Sequence, residues 1–189
     1  MIRFERVPEP PGFDRNARQP GTAWLAANPN ARRPKDFWTP FKPQLAEGFR
    51  HLCAYSAMYE PVGCVDHFLS WKNHPERAYD WLNYRFSSEW INKSKQTADD
   101  LVLDPFEVED GWFEILLPSL QLVVSAGIPP AMRERAEYTL KRLHLRDDER
   151  VLRQRREWYR MYTEGELTLE GLRRKAPLIA SAIERRTPP

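Results

Sequence analysis

Apolar positions change their spacing several times along this chain, and each change marks an element. Leu45 and Phe49 lie four apart and predict a short helix over residues 43–52. Two short runs suited to strands follow, 53–58 and 63–68. Tyr59-Glu60-Pro61-Val62 joins them, so a hairpin is expected to end at Asp66-His67. A turn of helix is expected over 75–81. Ser87 or Ser88 is placed to cap a helix carrying Asn92 and Lys95, which lie three apart and hence on one face. Residues 101–126 alternate apolar and acidic groups and predict a second hairpin, broken by Pro118. Pro129-Pro130 then opens a helix to about residue 145, with Ala136, Leu140 and Leu143 as its apolar stripe. Two more helices, about 147–162 and 167–184, are separated at Gly165, and Pro177 is expected to kink the second. The pattern is that of an α+β protein.

Both ends of the chain depart from periodicity. Residues 1–43 hold 8 of the 17 prolines and are expected to be mostly extended and irregular. The interleaved Phe13, Trp24, Phe37, Trp38 and Phe41 imply that this segment wraps over a core. The tail Thr187-Pro188-Pro189 is expected to fray. Three stretches are therefore expected within one compact domain: a wrapping segment (1–43), a central unit (44–100), and a hairpin with C-terminal helices (101–189).

Composition narrows the class. A content of 41% hydrophobic and 12% aromatic residues excludes a wholly disordered chain. No apolar stretch is long enough for a membrane span and the start lacks a signal peptide's apolar block, so a cytoplasmic location without a membrane partner is expected. Cys53 and Cys64 are the only cysteines, which gives no disulfide framework. The net charge of +2 hides an asymmetry: no Lys or Arg lies between Lys95 and Arg133, a stretch that holds seven acids from Asp99 to Glu114. A nucleic-acid surface is not expected to include that acidic middle.

The candidate chemistry sits in the centre. Asp66-His67 is followed 16 positions after the histidine by Asn83, and nine later by Asn92, with Lys95 three beyond. A carboxylate and an amide oxygen can hold a hard divalent cation, and Mg2+ (or Mn2+) needs only one or two protein ligands beside water. Asp66 and Asn92 suffice as those ligands. His67 suits a general base near neutral pH, and Lys95 could approach a phosphate oxygen. Together these groups suggest phosphodiester hydrolysis. Consecutive strand residues face opposite ways, so Asp66 and His67 can address one point only if the strand ends there.

These residues carry a resemblance. The segment 53–95 resembles an HNH endonuclease, the ββα-metal finger, whose Asp-His, middle Asn, and final His or Asn with a Lys three later fall on Asp66-His67, Asn83, Asn92 and Lys95. The resemblance implies a finger embedded in the largely helical body, with Asp66 and Asn92 on the metal, His67 as base, and Asn83 bracing the loop that carries His67. A looser pattern over 45–160 is similar to HNH proteins of the Septu type: Leu52-Cys53-Ala54-Tyr55, Trp81, and residues 136–145 followed by the arginines of 150–156. That similarity implies a DNA endonuclease acting in anti-phage defence beside a partner ATPase.

One departure matters. Relatives place two Cys-x-x-Cys pairs around the finger, but the matching positions here are Cys53, Ser56, Ser88 and Ile91, so no structural zinc is expected and packing must hold the finger. A rebuilt zinc site from His51, Cys53 and Cys64 is the alternative. Arg146, Arg150, Arg153, Arg155, Arg156 and Arg160 could bind nucleic acid, above all Arg150, Arg153 and Arg156. Alternatively they form a solvated helix face with Glu149 paired to Arg153. Two rival functions stand beside the nuclease: a degenerate HNH scaffold that has lost its chemistry, and an antibacterial nuclease effector with an immunity partner.

Overall fold

The computed structural model describes residues 1–186, and the tail expected to fray lies outside them. A π-helical turn, Asp14–Arg18, runs directly into α1 (Gln19–Ala27). The first segment is therefore partly helical where its prolines predict irregular chain. Pro20 lies inside this continuous helical run, directly after the π-helical turn. The segment does cover the core: Phe13 and Ala17 are fully buried and Trp38 nearly so. Gly21 lets α1 lie flat on the Tyr79 ring, since a Cβ there would stand 2.5 Å from it.

α2 (Lys42–Gly48) buries Leu45 and Ala46. The next expectation needs correction. Residues 53–58 form no strand; they coil into a tight turn with Ala57 N bonded to Cys53 O and Cys53 N to Met58 O, both at 2.9 Å. Ala57 takes a left-handed φ of 53°, which no strand accommodates. The real hairpin pairs β1 (Cys64–His67) with β2 (Tyr84–Ser87), antiparallel, with Asp66 opposite Arg85 and His67 opposite Tyr84. Between them lie two short 3-10 turns, Pro75–Arg77 and Trp81–Asn83.

α3 (Glu89–Lys95) follows β2 at once. Ser88 holds its N-cap position, yet the hydroxyl donates to Glu60 Oε2 at 2.5 Å and caps nothing. The second hairpin is as the alternation predicts, β3 (Phe113–Leu116) with β4 (Gln121–Val124). α4 (Pro130–Arg142) packs on β4. α5 (Glu149–Thr163) and α6 (Leu169–Lys175) come next, then α7 (Pro177–Arg186), which packs on β3. Pro177 begins a new helix where a kink is expected. Ala176 before it leaves the helical region, at φ −150° and ψ 68°, as a following proline requires.

The result is an α+β architecture with one continuous apolar core. Phe13, Phe49, Tyr55, Tyr84, Phe86 and Ile91 are its largest members around the first hairpin, each contributing about 2–3 kcal/mol of burial. No helix among the described residues is long and apolar enough to cross a membrane.

Candidate functional site

β1 ends at His67, and its end is fixed from across the hairpin. Phe68 N bonds to Asn83 O at 2.8 Å. The Asn83 side chain then accepts from Leu69 N at 2.8 Å and donates to Leu69 O at 2.9 Å and Arg77 O at 3.1 Å. One buried amide thus ties both ends of the loop that leaves His67. Because the strand stops there, Asp66 and His67 line one cavity of about 500 Å³ together with Asn92.

His67 Nε2 lies 2.8 Å from Ala78 O. A carbonyl only accepts, so Nε2 carries the proton and Nδ1 keeps its lone pair. The Trp38 ring meets the imidazole edge-on at 4.7 Å and Tyr84 does so at 5.0 Å, which fixes its plane. Burial holds this imidazole below the ordinary histidine value, with the Ala78 hydrogen bond and the Asp66 charge acting the other way. The ring is a neutral base at pH 7.

Asp66 is almost fully buried. Its Oδ2 accepts from Tyr55 OH at 2.6 Å, and burial together with the Asp66 charge keeps that phenol protonated. Oδ1 stands 3.1 Å from Lys95 Nζ, an ion-pair distance, but among the described residues this buried oxygen accepts no hydrogen bond. Asn92 points its Nδ2 at Cys64 Sγ (3.4 Å) and Val65 O (3.5 Å), two acceptors, which leaves its Oδ1 free. An undonated carboxylate oxygen and a free amide oxygen in one cavity fit a hard cation whose remaining ligands are water and phosphate oxygens.

Lys95 does not do what its spacing suggests. It is fully buried, donates to His67 O at 2.8 Å and pairs with Asp66, so it cannot reach a phosphate in the cavity. It is a positioning residue that fixes the end of β1 from beneath. Arg155 is neither a phosphate contact nor part of a solvated face: it is buried and donates to the carbonyls of Leu120, Leu145 and Arg146. Arg150 pairs with Asp148, while Arg153 and Arg156 share Glu149. None of these three lines the cavity.

The corner formed by Cys53, Ser56, Ser88 and Ile91 is closed by packing. Ser56 and Ile91 are buried, Cys53 Sγ accepts from Ser88 N at 3.4 Å, and Ser87 Oγ lies 3.7 Å away. Among the described residues no three His, Cys, Asp or Glu side chains gather as a metal-holding group, His51, Cys53 and Cys64 included. Burial pushes the Cys64 thiol up to about 12, against the lowering by its Asn92 contact. Sequence reasoning missed Trp71 and Lys72 on the cavity wall, where a lone Trp-Lys pair in a polar loop carries no periodic signal. Comparison with the models of known protein families finds no match to this chain, and comparison with curated proteins finds none either.

Proposed function

We propose that this protein is a divalent-metal-dependent endonuclease of the HNH type, hydrolysing phosphodiester bonds in DNA, with the hairpin and α3 as its ββα finger. The observation that carries the reading is the meeting of Asp66, His67 and Asn92 in one cavity, with the imidazole held in the tautomer that leaves Nδ1 free.

Asp66 and Asn92 would hold Mg2+ or Mn2+, which when bound neutralises phosphate charge and stabilises the departing 3′ oxygen. His67 Nδ1 takes a proton from water as the water oxygen attacks phosphorus, in line with the 3′ oxygen that leaves. Ala78 O and the neighbouring Asp66 carboxylate stabilise the imidazolium that forms. Lys95, Tyr55 and Asn83 act only through position: the first two set the Asp66 carboxylate, and the third sets the loop after His67. A role in anti-phage defence beside an ATPase is the setting that the Septu-type resemblance suggests for this activity.

The ion pair of Lys95 with Asp66 favours a second reading, a degenerate scaffold, because an ammonium 3.1 Å from a metal-binding oxygen competes with the cation. A plasmid-nicking assay separates the two. The nuclease nicks with magnesium, stops with EDTA, and loses at least about a hundredfold in rate on His67→Ala while circular dichroism stays unchanged. Nicking by His67→Ala equal to wild type removes the base assignment, and a wild-type chain inert with every divalent metal is the scaffold.

A further inference from the structure

A second cavity of about 450 Å³ meets the first at His67, Trp71, Asn92 and Lys93, so the two form arms of one groove that passes the candidate base. Its walls are cationic on both sides. Arg33 and Lys42 line one arm and Lys72 the other, and among the described residues none of the three forms an ion pair; Lys42 Nζ donates only to the carbonyls of Val62 and Gly63, at 3.0 Å each. Two of the three acids that face the groove are ion-paired, and the third is held by neutral donors. Glu89 is paired with Lys93 at 2.8 Å, and Asp66 with Lys95. Asp36 accepts from Trp38 N, Thr39 N and Thr39 Oγ.

Trp71 lies where the arms join, partly buried, with Lys72 Nζ 5.9 Å from its ring. Its loop is pinned. Asp99 accepts from Ser70 N and Asn73 Nδ2, both at 2.6 Å, and Asn83 holds Leu69 on the other side. Asp99 does this from a left-handed φ of 47°, a strained conformation for a residue with a Cβ. A rigidly mounted indole between unneutralised cations, beside a candidate phosphodiester base, is the pattern of a strand-binding track: cations follow the phosphates and the ring takes a base. A base inside a duplex has both faces covered by its neighbours and cannot use such a ring.

We propose that this groove binds a single DNA strand, with one base stacked on Trp71 and the flanking phosphates on Lys72 in one arm and on Arg33 and Lys42 in the other. This rests on the nuclease reading for the scissile phosphate at His67, but binding itself needs no chemistry. The test is fluorescence anisotropy of a short labelled DNA strand, and of the same strand annealed to its complement, with the full chain in EDTA. The single strand binds more tightly than the duplex; Trp71→Ala weakens it about tenfold or more, and Trp71→Phe retains most of the affinity. The change Lys72→Glu at an exposed position, with circular dichroism unchanged, weakens binding and flattens its salt dependence. A wild-type chain that prefers the duplex or binds neither form, or a folded Trp71→Ala that binds as wild type, overturns the proposal. Magnesium-dependent cleavage is scored separately. Trp71-dependent binding without cleavage sinks the nuclease reading and keeps the groove, whereas cleavage with Trp71-independent binding does the reverse.

Discussion

Lys95 shows how far residue chemistry can be read without the fold. Its spacing from Asn92 is legible as one helical face, and the face is real, but that face turns inward: Ile91 and Lys95 are fully buried one turn apart while Asn92 stays half-exposed at the cavity. A lysine is assigned to solvent by default, and only the presence of Asp66 beneath the helix reverses this. The same holds for Arg155, whose burial against three carbonyls has no mark in an arginine-rich run. His67, by contrast, lines the cavity, and Asn83 bonds to the loop that follows it. Removing the Lys95 charge leaves Asp66 buried without its counter-ion. Lys95→Met is therefore expected to cost about 3–5 kcal/mol in urea unfolding. A variant as stable as wild type would mean that this ion pair is solvated and that Lys95 is free to act elsewhere.

At the scale of elements, strict alternation or a clear apolar stripe was enough. Phe113, Ile115 and Leu122 are buried as a half-covered hairpin requires, and Ala136 and Leu140 form the stripe of α4. The first hairpin was hidden because its strands are four residues each and 16 positions separate them, so nothing local links β1 to β2. The apolar run 53–58 looked like a partner strand, yet Ala57 and the Cys53–Met58 bonds close it into a turn. The N-terminal prolines are a related case, since Pro20 is accommodated inside a helical run directly after its π-helical turn. The loop between the two true strands is braced by the Asn83 amide. Asn83→Ala removes three hydrogen bonds around Leu69 and Arg77 at about 1 kcal/mol each, partly regained by water. The Leu69 amide should then exchange with solvent roughly thirtyfold faster, equivalent to about 2 kcal/mol. Unchanged protection at Leu69 would show that β1 needs no such brace.

Across the whole molecule, one core carries the site. The N-terminal segment brings Trp38 against His67, α2 lies under the hairpin, and α5 sets Arg150 over Trp90 on the outer side of α3 at 4.2 Å. These long-range contacts decide which charges face the groove. Arg150, Arg153 and Arg156 of α5 pair with Asp148 and Glu149, while among the described residues Arg33, Lys42 and Lys72 form no ion pair beside His67. No reading of local sequence could rank the second group above the first, because the ranking depends on which side chains meet across the fold. The central claim is that Asp66 and Asn92 hold a divalent cation in front of His67. It is tested most directly by a crystal structure of the protein soaked in manganese, located by anomalous scattering. The account predicts one manganese ion between Asp66 Oδ1 and Asn92 Oδ1, with His67 Nδ1 facing its open side. Manganese bound elsewhere, or a cavity still closed by the Lys95 to Asp66 contact with no ion in it, would contradict the account.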